Sequence, residues 1–94
     1  MKVEVKFFTS LREITGKKVD HLQLQNRITV DELITLLSEK YGKNVIEYIY
    51  NKKGEPQEFL SFLVNGTNIN NRQGFDTKLK NGDVIAILPP VGGG

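Results

Sequence analysis

From residue 2 to residue 8 the apolar Val3, Val5 and Phe7 alternate with Lys2, Glu4 and Lys6, the two-residue period of a strand with one buried face. Phe8 breaks the alternation and sets an aromatic ring on the polar side. Residues 9–15 read as a loop or short helical turn, after which Gly16 and Lys17 turn the chain into a second strand around 19–24, so the first two strands form a hairpin. Thr29-Val30-Asp31-Glu32 fits a capping box, in which the Thr29 hydroxyl accepts from the Glu32 N–H and the Glu32 carboxylate accepts from the Thr29 N–H. A helix starts there. Val30, Leu33, Ile34, Leu37 and Tyr41 then recur at helical spacing, and Gly42 stands where a left-handed C-terminal cap is expected. A stripe of this kind is core, so the helix covers a sheet.

Residues 44–50 predict a second, shorter helix with Val45, Ile46 and Ile49 inward, followed by a polar loop over 51–56. The apolar run 59–64 leads into Asn65-Gly66, a strong local signal for a tight hairpin, and so into a strand over 67–69. Residues 70–77 read as loop, and Asn81-Gly82 turns the chain into a final strand over 84–88. This order predicts an α+β domain whose mixed sheet packs one face on the main helix. The last strand is apolar on both faces, which suits a central position. By alternation Ile85 and Ile87 point inward, and Val84, Ala86 and Leu88 lie on the open face near Phe8 and Leu63. An apolar patch there would suit a partner surface, unless the short helix or a loop covers it.

Composition narrows the function. Ninety-four residues make one domain with a modest core. Cysteine is absent, which excludes disulfides, thiolate nucleophiles and cysteine metal sites, so any sulfur the protein carries must come from elsewhere. The single histidine, His21, falls in the second strand as an exposed pairing residue. A net charge of +2 with interspersed signs does not describe a nucleic-acid surface. Lys17-Lys18 and Lys52-Lys53 sit by glycines as solvated turn charges. No apolar stretch approaches membrane-spanning length and no signal peptide is evident, so a cytoplasmic location away from membranes is expected. The interior offers no nucleophile with its base, no metal cluster and no phosphate loop.

The chemistry therefore points to the last residues. Pro89 and Pro90 lack an N–H and fix φ, so they end the strand and launch a stiff stem. Val91, Gly92, Gly93 and Gly94 follow, with no bulky side chain after Val91 to block a narrow channel. The chain divides into a domain over 1–88 and a flexible tail over 89–94.

The ending Ile87-Leu88-Pro89-Pro90-Val91-Gly92-Gly93-Gly94 resembles that of the molybdopterin synthase small subunit, the MoaD-like ubiquitin-related sulfur carriers. That family ends in a strand, Pro-Pro-Val, one variable residue and Gly-Gly. Val5-Lys6-Phe7-Phe8-Thr9-Ser10-Leu11-Arg12-Glu13, Val64-Asn65-Gly66 and Leu79-Lys80-Asn81-Gly82-Asp83-Val84 carry the same resemblance. Gly92 fills the variable position, and residues 43–58 follow no part of the pattern.

The resemblance implies a β-grasp fold with the last strand central beside the first. It also implies that an adenylating, E1-like enzyme uses ATP and Mg²⁺ to form an acyl-adenylate on Gly94, and that a sulfur donor displaces AMP to leave a thiocarboxylate. The chain itself would bind no cofactor. Its tail would enter the molybdopterin synthase large subunit, which supplies the catalytic groups, and give sulfur to a pterin precursor of molybdenum or tungsten cofactor. Phe8, Leu63 and Leu88 would dock the domain. Arg12 and Glu13 belong to the family-like opening, but surface salt bridging is the role expected of them on their own chemistry. Two other readings stay open: a ubiquitin-like modifier joined through Gly94 to lysines, and a passive interaction module.

Overall fold

The first strand buries one face as its alternation requires: β1 (Lys2–Lys6) places Val3 and Val5 inside and leaves Lys2 and Lys6 exposed. The structure is a computed structural model and describes residues 1–90; residues 91–94 lie outside that range. β1 stops two residues earlier than the pattern suggests. Phe7 still donates its N–H to Lys18 O at 2.9 Å, but at Thr9 the backbone takes φ 46° and ψ −115° and leaves the sheet. Residues 9–15, read as a loop or short helical turn, contain the short helix α1 (Ser10–Thr15), closed by a left-handed Gly16 whose N–H donates to Arg12 O at 2.8 Å. β2 (Val19–Gln23) then pairs antiparallel with β1, so the expected hairpin exists with a helix as its connection.

The capping box is complete: Glu32 N–H donates to Thr29 Oγ1 at 3.1 Å and Thr29 N–H to Glu32 Oε1 at 3.0 Å. It opens α2 (Val30–Tyr41), which buries Val30, Leu33, Ile34 and Leu37. Gly42 has the positive φ expected of it, 98°, but its ψ of 175° is extended, so it is not the left-handed cap. It is a corner that leads directly into α3 (Lys43–Ile49), one residue earlier than 44–50, with Val45 and Ile49 buried and Ile46 half-buried.

β3 (Ser61–Val64) and β4 (Thr67–Asn68) join through Asn65 and Gly66, both at positive φ as a tight hairpin turn demands. β4 is only two residues long, because Ile69–Asn71 winds into a 3₁₀ turn capped by the Asn68 side chain. A second 3₁₀ turn, Gly74–Asp76, interrupts the stretch expected to be loop. β5 (Val84–Leu88) takes the centre of a five-stranded sheet ordered β2-β1-β5-β3-β4, parallel to β1 and antiparallel to β3.

Ile85 and Ile87 are buried with Val5, Phe62 and Val64 against the apolar stripe of α2. Each such side chain contributes roughly 1.5–3 kcal/mol of burial. This is the α+β arrangement expected, a mixed sheet holding one long helix. No helix of the described residues is long and apolar enough to cross a membrane.

Candidate functional site: the open sheet face and the root of the tail

Parallel pairing of β1 with β5 decides where the tail starts. Lys6 stands beside Ala86, so both strands run out of the sheet at one end. There the Phe8-Thr9 turn leaves β1, and Pro89, half-buried, and Pro90, exposed, leave β5. Val91, Gly92, Gly93 and Gly94 lie outside the described residues.

Side chains facing away from α2 follow from the alternation. Val84, Ala86 and Leu88 of β5 are all half-buried, Leu63 stands opposite Ala86, and Ser61 stands opposite Leu88. Phe8 continues the series of Glu4 and Lys6 and is half-buried. The structure thus brings Leu63 and Leu88 onto the open face beside the tail root and sets Phe8 at the same end of the sheet. α3 does not cover the face, since its Val45 and Ile49 enter the core on the α2 side. A hollow of about 830 Å³ between Asp31, Ile46, Tyr50 and Lys52 opens beside α2, α3 and the loop that follows, away from this face.

Charge is distributed unevenly over the face. Lys2 and Lys6 project from β1, and Arg12 lies over the Phe8 ring with its guanidinium carbon 5.2 Å from the centroid. Glu4 is the one carboxylate among the face-directed positions of β1, β2, β3 and β5, and it is bonded to exposed His21 of β2 at 3.0 Å. His21 is the pairing residue its strand position suggested. Arg12 does not make the surface salt bridge expected of it. Among the described residues no carboxylate pairs with it, and its Nε–H donates instead to Phe7 O at 2.9 Å.

Beneath this end, the buried ring of Phe7 meets Tyr41 edge-on at 6.0 Å. Tyr41 in turn donates its hydroxyl to Asp20, a buried carboxylate that also accepts from Lys40 Nζ at 2.8 Å and lies 3.8 Å from Lys17 Nζ. Burial pushes the Asp20 carboxyl up, but the hydrogen bonds from Lys40 and Tyr41 and the charges of Lys40 and Lys17 outweigh it and hold the group below its ordinary range. Burial, and then the hydrogen bond and charge of Asp20, push the Tyr41 phenol well above its ordinary value. This brace ties β2 to the end of α2 and holds the Tyr41 ring against Phe7 just before the β1 exit.

Two features escaped the sequence pattern. Arg12 sits five residues beyond the carbonyl it grips, and nothing in the spacing announces that contact. Phe59, read as the start of the apolar run that leads into the strand, is 45% exposed before β3 begins, and its ring meets that of Tyr48 edge-on with centroids 6.3 Å apart.

A five-stranded mixed sheet packed on one long helix, with a glycine-rich tail following its central strand, is a ubiquitin-like β-grasp domain. The chain belongs to the ThiS family, whose model matches residues 5–94. It is 41% identical, over 72% of its length and 76% of the relative's, to an Archaeoglobus fulgidus protein named as a candidate sulfur carrier. Along its whole length, and the whole of the relative's, it is 30% identical to small archaeal modifier protein 3 of Haloferax volcanii. Among solved structures it resembles small archaeal modifier protein 1 of Methanosarcina acetivorans, with a TM-score of 0.81 and 34% identity over 99% of this chain and 96% of that one. A chain of the Amycolatopsis orientalis BexX/CysO complex matches at a TM-score of 0.76 and 29% identity, covering 98% and 99%.

Proposed function

We propose that the protein is a sulfur carrier that works through the carboxyl group of Gly94. The observation that carries this reading is the placement of the tail root at the end of the central strand, beside a half-buried apolar face and away from the hollow beside α2 and α3. A domain built this way offers its tail to another protein's active site and leaves its own interior inert. Family membership and the relative named as a candidate sulfur carrier support it.

A free carboxylate is a poor acyl donor, because its charge repels nucleophiles and its oxygen leaves badly. In the proposed sequence an E1-like enzyme holding ATP and Mg²⁺ lets the Gly94 carboxylate attack the α-phosphorus, which releases pyrophosphate and leaves an acyl-adenylate. A sulfide-level donor then displaces AMP, forming the C–S bond of a thiocarboxylate and giving up a proton. The domain's part is to dock: Phe8, Leu63 and Leu88 seat it, Pro89 and Pro90 direct the tail, and Val91, Gly92 and Gly93 pass through the channel. The acceptor best matched by the Pro-Pro-Val ending is a pterin precursor held by a molybdopterin synthase large subunit, on the way to molybdenum or tungsten cofactor. One face serves both the activating and the accepting enzyme, since each must take up the same tail.

A second reading has its own support in the full-length similarity to a small archaeal modifier. The chemistry is shared up to the adenylate, after which a lysine amine takes the acyl group and an isopeptide forms. Intact mass spectrometry of protein from its native cell separates the two: one oxygen of Gly94 replaced by sulfur supports the carrier, and attachment to larger proteins supports the modifier. A chain whose Gly94 is never altered, under conditions where the cofactor is being made, refutes both. Deletion of Gly93 and Gly94 should abolish either product and leave the unfolding temperature unchanged.

A further inference from the structure

We propose that Arg12 is the charge-reading residue of the docking face, a receptor preset for a carboxylate on the enzyme that activates the tail. The inference rests on the carrier reading and adds to it the chemistry of the partner's surface.

A guanidinium has five N–H donors in a planar fork. Here Nε–H is taken by Phe7 O at 2.9 Å and the guanidinium carbon lies over the Phe8 ring, 5.2 Å from its centroid, while no carboxylate among the described residues takes the Nη groups. A long, exposed side chain normally loses much rotamer freedom on binding. This one is already held by its Nε–H bond and set over the Phe8 ring, so less is lost when a carboxylate arrives.

The backbone shows how the position is held. Leu11 N–H donates to Phe8 O at 3.1 Å and Arg12 N–H to Thr9 O at 2.9 Å, so the chain doubles back at once after β1. Thr9 occupies φ 46° and ψ −115°, close to the first corner of a type II′ turn, a conformation that favours glycine. A β-branched residue there is held in strained backbone. That tight return carries Arg12 back over the ring of Phe8, four residues before it.

The occupant follows from charge. Lys2 and Lys6 share the face with Arg12, and the one carboxylate among the face-directed positions of β1, β2, β3 and β5, Glu4, is already bonded to His21. A partner surface with a carboxylate beside an apolar contact fits it, and a basic one is repelled. The planar fork favours a carboxylate held by two parallel hydrogen bonds, which a lysine at the same place would not reproduce.

The test is ATP–pyrophosphate exchange by the E1-like adenylating enzyme of the same organism, with the full chain as the varied substrate and Arg12→Lys and Arg12→Gln as variants. Arg12 is exposed, and unfolding temperatures within a degree or two of wild type would confirm intact folds. Losing a charge-assisted pair at an interface should raise KM about tenfold for Arg12→Lys and about thirtyfold for Arg12→Gln, with kcat within about twofold of wild type. The salt dependence of KM should also become shallower in Arg12→Gln. Unchanged KM for both variants, or a fall in kcat at constant KM, overturns the proposal while leaving the carrier reading standing. Absence of exchange with the wild-type chain removes the carrier reading and this proposal with it. Binding of a chain lacking residues 91–94 should keep its dependence on Arg12; if the dependence disappears, the carboxylate is the chain's own terminus and the partner assignment is wrong.

Discussion

Replacing Asp20 by Asn should destabilise the domain at neutral pH and leave it unaffected in strong acid. The carboxylate is buried, accepts from Tyr41 and Lys40, and lies 3.8 Å from Lys17. Asn keeps the shape but removes the charge that both donors and both lysines answer. A hydrogen bond to a charged group contributes about 1.5–3 kcal/mol, which applies to the enclosed Tyr41 contact. Lys17 and Lys40 are nearly half exposed, so water and salt reduce each of their contributions to about 1 kcal/mol or less. Relief of the carboxylate's burial cost offsets part of the sum, leaving a net loss of about 2–3 kcal/mol. In a domain of this size that lowers the unfolding temperature by roughly 10–20 °C.

The pH profile isolates the cause. Asp20 is held below its ordinary value of 3.8 in the folded protein. Its contribution is therefore complete above that ordinary value, where the unfolded chain also carries the charge, and is lost as pH falls through the lower folded value. Thermal unfolding of wild type and Asp20→Asn from pH 7 downward should show a constant gap that closes below about pH 3–4, the region set by ordinary aspartate titration. No gap at pH 7, or a gap that persists undiminished at pH 2, would refute the assignment of the brace to an ionised Asp20.

Leu33→Ala and Leu37→Ala should each cost about 2–5 kcal/mol, because both side chains are fully buried between α2 and the sheet; an unmoved denaturant midpoint would contradict the packing. Phe8→Ala and Leu88→Ala should weaken docking to the activating enzyme by about 2 kcal/mol or more, seen as faster dissociation, with only a small change in unfolding temperature. A core-sized drop in stability with unchanged binding would remove both from the docking face. Thr9→Gly should raise the unfolding temperature, since relief of about 1–3 kcal/mol of strain exceeds the roughly 0.5–1 kcal/mol entropy cost of glycine; a lower midpoint would show that the turn is not strained.

Local signals with one physical cause were legible in the sequence. The capping box of Thr29 and Glu32, the positive φ at Asn65 and Gly66, and the inward Ile85 and Ile87 each follow from a few neighbouring residues. Where tertiary contacts decide, the pattern was silent or misled. The alternation runs to Phe7, but β1 ends at Lys6 because Thr9 turns the chain with a backbone conformation its sequence does not advertise. Gly42 was legible as a positive-φ residue, yet its ψ depends on α3 starting at the next position. Asp20 carries no signal of its own within the strand expected around 19–24, since its partners Lys40 and Tyr41 lie some twenty residues further on. For the site, sequence placed Leu63 and Leu88 on the open face and marked Phe8 as the break in its strand. The free Nη edge of Arg12 depends on a backbone carbonyl and a ring, neither of which has a spacing signature.

The central place of β5 bears on which copies of this chain can exist at all. Lys2 N–H donates to the side chain of Asn81, seventy-nine residues away, and β1 finds its parallel neighbour just beyond that point. The middle of the sheet therefore closes only across nearly the whole domain, a pairing that is slow to form and has no local substitute. A polypeptide that stops short of Val84 leaves β1 and β3 with bare edges and α2 without Ile85 and Ile87 beneath it, a species prone to aggregation and degradation. Ribosomal drop-off and proteolytic clipping are thereby filtered by folding itself. Every copy that passes the filter already carries the strand from which Pro89 and Pro90 emerge, so an activating enzyme that recognises the folded face does not spend its encounters on domains without a tail root.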